Sequence, residues 1–336
     1  MRLTAGVRLV FTSDTTCVEL VTHPTTIHVV GDPERPPVFQ MLVDGVLQPD
    51  VVARGGTVVH IEDSRRDDGI RFELGGTVTS RWDGLAPGTK RFEIWLPTNS
   101  SVELHSLRVD AHATVERTPI TRRRWTHYGS SISHCMDVDR PFDAWPAMVA
   151  SAHGLELTNV ALAGQCQLDP FMGRVIRDAP ADVISLKLGI NLVNAASMTE
   201  RTFAPAVHGL LDDIRDGHPN TPVLVVSPIV CPIAEDHPGP TVPSADGGYE
   251  VVPAPAAARP LGLTLQGVRR ILTGIVAARR AAGDDALHYL DGLSLFGAAD
   301  ASLLHDGLHP SPEGYALLGG RFAVAAFGPG GPLAAS

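Results

Sequence analysis

The chain has 336 residues, a formal net charge of −10, 44% apolar residues and only 19% charged ones. That length fits about two domains of roughly 100–200 residues each, and the apolar share suffices for a large core. The acidic balance excludes a nucleic-acid binder, which needs a basic face to displace counterions, and the composition excludes broad disorder.

The beginning, MRLTAGVRLVFTSDTT, has no long apolar stretch of the secretory type. No apolar run reaches the ~18–20 residues a membrane-crossing helix needs, so a soluble, cytoplasmic protein with no membrane partner is expected. Cys17, Cys135, Cys166 and Cys231 are scattered and form no C-x-x-C pair. Free buried thiols are therefore expected, with no metal and no other cofactor.

Residues 1–120 read as strands and turns. β-rich runs at 7–11, 26–30, 57–61, 70–74, 91–96 and 102–109 are separated by turn signals at 31–33, 44–45, 55–56, 67–69 and 87–88. Ile70-Arg-Phe-Glu-Leu74 alternates apolar with polar, which puts one face on a core and one in water. Many short strands of this kind predict an all-β sandwich. The basic run Arg122–Arg124 reads as a solvated junction.

From 121 to 336 the grammar changes. Strands are predicted at 124–128, 155–161, 183–188, 223–227 and 287–290, alternating with helices at 141–153, 199–216, 264–282 and 312–327. In the third helix Leu265, Val268, Ile271, Leu272, Ile275 and Val276 share one face. Alternation of this kind predicts a parallel sheet covered by helices on both faces, with its active site beyond the carboxyl ends of the strands. Residues 228–262 form a Pro/Gly-rich insertion, read as a lid over that site.

Four short motifs fall at such strand ends. Tyr128-Gly-Ser-Ser131 follows the strand at 124–128, and a serine on that turn can attack a carbonyl if a base takes its proton. By itself it is ordinary loop material. Gly164 follows the second strand and can offer a backbone N–H, while Asn191 in Leu188-Gly-Ile-Asn191 follows the third and can offer an amide to a developing oxyanion. Asp306-Gly-Leu-His309 places a carboxylate three residues from an imidazole, so that one can orient the other as a base. The same turn reads equally as the entry to a helix, with Ser311 before Pro312 and Glu313.

Taken in order, these blocks resemble the SGNH hydrolases, the GDSL esterase/lipase family, over about residues 122–330. The resemblance implies a flavodoxin-like three-layer α/β domain, here preceded by a jelly-roll-like sandwich as in some carbohydrate esterases and natural-product acyltransferases. It implies Ser131 as nucleophile, Asp306 and His309 as the rest of a catalytic triad, and Ser131, Gly164 and Asn191 as the oxyanion hole. The family's first block usually reads Gly-Asp-Ser, and Ser130 stands here where the Asp would be.

Three functions follow as expectations: an esterase cleaving small O-acyl esters, an acyltransferase moving an acyl group from a thioester or ester to a hydroxyl of a sugar or polyketide, or a non-catalytic carbohydrate binder using Trp82 or Trp95 of the sandwich. The lid and the first domain, by excluding water, would favour transfer. His127, His134, Met136, Trp145 and Gln165 are candidates to line the acyl pocket, with Trp145 read more readily as core and His134 as surface.

Overall fold

The computed structural model describes residues 3–62, 69–244, 247–253 and 262–335. They fall into two compact units: Met1–Thr121 with Met136–Ala144, and Arg122–Cys135 with Trp145–Ser336. The turn signal at 67–69 and the 254–261 part of the insertion lie largely outside the described residues.

The first unit is a β-sandwich. One sheet runs in the order β11 (Val115–Arg117), β1 (Arg8–Ser13), β9 (Lys90–Trp95), β3 (Val38–Val43), β4 (Val46–Leu47), with β5 (Val51–Val52) paired to β3. The other runs β10 (Ser100–Val109), β2 (Val18–Val29), β6 (Thr57–Ile61), β7 (Ile70–Glu73), with β8 (Val78–Trp82) paired to β2. All pairings are antiparallel except β2 with β6. Phe11, Phe39, Met41, Phe92 and Ile94 meet Val18, Leu20 and Trp82 in one core. Sequence reasoning missed β3, because its first five residues are all buried and show no alternation. It also missed residues 18–25 of β2, a stretch in which Pro24 breaks the strand pattern.

Residues 136–144 count with this unit, although the sequence places 121–336 in one domain. The Phe142 ring packs at a tilt against Trp95, with centroids 4.9 Å apart, and the Phe142 N–H donates to Gln40 Oε1 at 2.9 Å. The single helix predicted over 141–153 is accordingly broken. Pro141–Asp143 form a 3₁₀ turn, Ala144 is extended, and the α-helix begins only at Trp145.

The second unit is a three-layer α/β domain. Its parallel sheet runs β13 (Glu156–Asn159), β12 (Arg124–Tyr128), β14 (Val183–Lys187), β15 (Val223–Val226), β18 (Leu287–Leu290). Crossovers between parallel strands are right-handed almost without exception, and with this strand order that puts α2 (Trp145–Ala152) on one face and α3 (Pro170–Asp178), α5 (Glu200–Gly217) and α6 (Leu265–Ala281) on the other. The packing agrees: α2 meets α8 (Pro312–Phe322), while α3 meets α5 and α5 meets α6. Helix α3, unforeseen from sequence, buries only Met172, Gly173 and Ile176. The helix predicted to 327 ends at Phe322 and continues as a π turn, Ala323–Phe327. All four cysteines are free thiols. Among the described residues no helix is long and apolar enough to cross a membrane.

Candidate active site

The strands at the centre of the second unit end level with one another. Tyr128 pairs with Leu186, His127 with both Asn159 and Ser185, and Lys187 with Val226. Loops leaving neighbouring strands therefore meet at one edge. Ser131 opens the four-residue helix α1 (Ser131–His134) just past β12, and Gly189–Asn191 follows β14, with Asn191 in α4 (Ile190–Asn194). The Leu162 N–H donates to the Gly129 carbonyl at 2.9 Å, which draws the 160–164 segment beside the Ser131 turn.

Past β18 come α7 (Gly292–Leu295) and a 3₁₀ turn, and then a loop closed by the bridge Leu304↔Pro310. Within it Asp306 Oδ1 accepts the backbone N–H of Leu308 at 2.9 Å and of His309 at 2.6 Å. Its other oxygen, Oδ2, lies 2.6 Å from His309 Nδ1. His309 Nε2 lies 2.8 Å from Ser131 Oγ. A carboxylate can only accept, so Nδ1 carries the hydrogen and Nε2 presents its lone pair to the hydroxyl. Burial raises the Asp306 carboxyl. The hydrogen bond and charge of His309, with the two N–H donors, outweigh it and hold the group at about 2, so it is ionised at neutral pH. The helix-entry reading of this turn holds as well, since Ser311 caps α8 through its Oγ and the Gly314 N–H at 3.2 Å.

The other two residues singled out in the sequence stand at the same edge. Asn191 is buried, and its Oδ1 accepts the Cys166 N–H at 3.1 Å. That bond turns the amide so that its NH₂ is engaged by no hydrogen bond among the described residues. Gly164 is exposed with φ +70°, a conformation that disfavours any side chain. Neither its N–H nor that of Ser131 donates to a described acceptor.

Behind the Ser131 turn lies a buried network that sequence reasoning did not identify. His127 is fully buried, with Nδ1 2.7 Å from Ser185 Oγ and Nε2 2.8 Å from Ser133 Oγ. Ser185 Oγ also accepts from Trp125 Nε1 at 2.8 Å. Burial, then the nearby Lys187 charge, pushes the imidazole down to about 3, so it is neutral. Trp145 Nε1 donates to the Ile132 carbonyl at 2.8 Å and Asn159 Nδ2 to the Ser133 carbonyl at 3.1 Å. Ser130 Oγ accepts the Ile132 N–H at 3.3 Å, a cap that supports the turn where the family's Asp is missing. A Cβ at Gly129 would stand 2.3 Å from Ser133 Oγ, so only glycine lets the network close. His127 and Trp145 are thus core residues rather than pocket lining, and His134 is buried rather than on the surface. Gln165 is exposed, and Met136 belongs to the first unit.

The insertion is not a featureless loop. Thr241–Pro243 (β16) and Tyr249–Val251 (β17) pair as a hairpin. Tyr249 donates its backbone N–H to the Asp306 carbonyl at 3.2 Å, and its ring meets His309 edge-on at 5.8 Å. The insertion's base is tied by Arg269 of α6, which bonds Glu235 at 2.6 Å and the carbonyls of Pro228 and Ile229. In the sandwich, Trp82 and Trp95 are each 4% exposed, which leaves neither as a platform for a sugar.

A family profile described as GDSL-like lipase/acylhydrolase matches residues 127–317. No curated protein compared with the sequence matches it. Among solved structures, the salicylyl-acyltransferase SsfX3 from a tetracycline biosynthetic pathway is 27% identical. That likeness covers 95% of this chain and 81% of the other, with a TM-score of 0.75. A GDSL-like lipase from Bacteroides ovatus is 17% identical over 96% of this chain and 84% of its own, with a TM-score of 0.62. A family two carbohydrate esterase from Clostridium thermocellum is 14% identical over 95% and 91%, also with a TM-score of 0.62. The last two likenesses speak for the fold alone. With more than half of its length matched by the family profile, the chain belongs to the GDSL-like lipase/acylhydrolase family.

Proposed function

We propose that the chain is a serine esterase that cleaves small O-acyl esters through an acyl-serine intermediate. One observation carries this reading: the unbroken relay from Asp306 Oδ2 through His309 to Ser131 Oγ, with both links under 3 Å at 2.6 and 2.8 Å. His309 Nε2 takes the Ser131 proton as Oγ forms its bond to the ester carbonyl carbon. The carbonyl oxygen becomes an oxyanion, for which the N–H groups of Ser131 and Gly164 and the Asn191 amide are the donors. Collapse breaks the bond to the leaving alkoxide, which takes the proton from His309. Water, activated by the same imidazole, then releases the acid.

A second reading shares every step up to the acyl-serine and differs in the acceptor. The acyl group is delivered from a thioester or ester to a hydroxyl of a sugar or polyketide. The hairpin that seats Tyr249 against His309 favours it, since cover over the base limits entry of bulk water. The relative named as a salicylyl-acyltransferase supports the same alternative.

The two are separated by incubating the protein with a panel of acyl esters and acyl thioesters, with and without alcohol acceptors, and reading products by mass spectrometry. Free acid as the dominant product in the presence of acceptors supports hydrolysis. A dominant transfer product replaces the first reading with the second. Undiminished turnover by Ser131→Ala would overturn both.

A further inference from the structure

The sandwich holds a pair of histidines that the acyl chemistry does not use. His28 on β2 and His60 on β6 are direct neighbours in the parallel register. Their Nδ1 atoms are 3.1 Å apart and their rings stand nearly perpendicular, at 83°. Both outer nitrogens are already held. His28 Nε2 lies 3.0 Å from the Asp32 carbonyl oxygen, and His60 Nε2 lies 3.2 Å from Glu73 Oε2.

A carbonyl oxygen only accepts, and so does an ionised carboxylate, so each Nε2 must carry the ring's hydrogen. A neutral imidazole has only one N–H. Each Nδ1 therefore turns a lone pair toward the other, at a separation where two acceptors repel. An electropositive species belongs between them.

We propose that this species is a divalent transition-metal ion of borderline softness, of the Zn²⁺ class, chelated by the two Nδ1 atoms with water completing its shell. At metal–nitrogen distances of about 2.0–2.1 Å, nitrogens this far apart subtend an angle of about 100° at the ion, which suits tetrahedral or octahedral coordination. The outer contacts have the form that fixes metal-ligating imidazoles, one ring donating to a backbone carbonyl and one to a carboxylate. The ladder bonds of β2 and β6 set the spacing, so binding needs no rearrangement of the strands.

A shared proton fits less well. It would place a full charge on a pair in which His60 is 7% exposed, while the Glu73 side chain is 64% exposed and is shared with Arg71 at 3.7 Å. Arg71, directly across from His60, and Glu62, 4.0 Å from Arg71, are the other charged groups placed at this edge by the described contacts. The expectation of no metal rested on the spacing of the cysteines, and this pair departs from it by needing no thiolate.

The test uses the whole chain, stripped with a chelator and titrated with Zn²⁺ by calorimetry at pH 7.5, with Co²⁺ as a spectroscopic stand-in. One equivalent is expected to bind at micromolar concentration or below. His28→Gln and His60→Gln should each weaken that equivalent at least 100-fold while ester turnover and far-ultraviolet circular dichroism stay unchanged. Glu73→Gln, at an exposed position that does not threaten folding, should weaken it about 10-fold. Absence of the equivalent in the parent chain overturns the proposal, as does its persistence at full affinity in the histidine variants or in Glu73→Gln. A proton shared by the two rings in nitrogen NMR, undisturbed by Zn²⁺, overturns it as well.

Discussion

Two histidine–serine pairs stand back to back across the same turn. In one, His309 Nε2 is 2.8 Å from Ser131 Oγ; in the other, His127 Nε2 is 2.8 Å from Ser133 Oγ. Residue types and distance are the same, and what differs lies behind each ring. His309 backs onto the ionised Asp306, whereas His127 backs onto the Ser185 hydroxyl in a buried core. A carboxylate at Nδ1 stabilises the imidazolium that forms as a serine gives up its proton, and a neutral hydroxyl does not. The contact between His and Ser is therefore not what singles out the proposed reactive pair. The group behind the histidine does so, together with access: Ser131 is half-buried, and Ser133 is wholly enclosed.

Substitution at the two serines sharpens this contrast most. Ser131→Ala should lower kcat by about 10⁴–10⁶ with the melting temperature nearly unchanged. Ser133→Ala should leave kcat within about tenfold but cost about 1–3 kcal/mol of stability, because it strands a buried ring nitrogen. Steady-state ester hydrolysis and chemical denaturation measure the two effects, and the reverse pattern would break the comparison. Asp306→Asn keeps the shape of its loop but allows the wrong tautomer at His309, so kcat should fall about 10⁴-fold. Asn191→Ala removes one candidate oxyanion donor, and a loss of about 10²–10³ in kcat with little change in KM is expected.

The smallest effect is on stability against pH. The fold holds His127 neutral down to about pH 3, while the unfolded chain protonates it near its ordinary value of 6.5. Stability from this group is thus complete above pH 6.5 and drains away as the pH falls toward 3. The loss is on the order of 2 kcal/mol between pH 6.5 and 5. His127→Gln should flatten that part of the profile, read as the urea midpoint against pH. An unaltered slope would show that the ring is not held neutral.

Much of this was legible in the residues. The strands at 124–128 and 287–290 were foreseen to the residue, since each is a short run rich in aromatic or apolar residues that a turn signal ends, Gly129 in one case and Asp291-Gly292 in the other. Asp306 and His309 could be paired on paper because they are three residues apart and their geometry is local. The partnership of His127 with Ser133 and Ser185 was not legible. It depends on which face of β12 is inward and on β14 lying beside it, which a single sequence does not state. The place of residues 136–144 depends likewise on Trp95 and Gln40, tens of positions earlier in the chain. Nor did the Pro/Gly content of the insertion betray its hairpin, whose Tyr249 owes its position to a backbone bond with Asp306.

The Asp306 loop carries a consequence for how the proposed active site assembles. One carboxylate oxygen secures the loop's own amides and the other secures the imidazole, so the proposed base and its orienter are assembled by four consecutive residues. The serine they serve is 178 positions away. Two of the three parts can therefore be made early and nearby in a refolding chain, and the third joins only through a long-range closure. Catalytic competence then works as a clock for that closure. After dilution from denaturant, the appearance of a serine that captures a fluorophosphonate marks the moment when the first and last strands of the domain have found the same sheet.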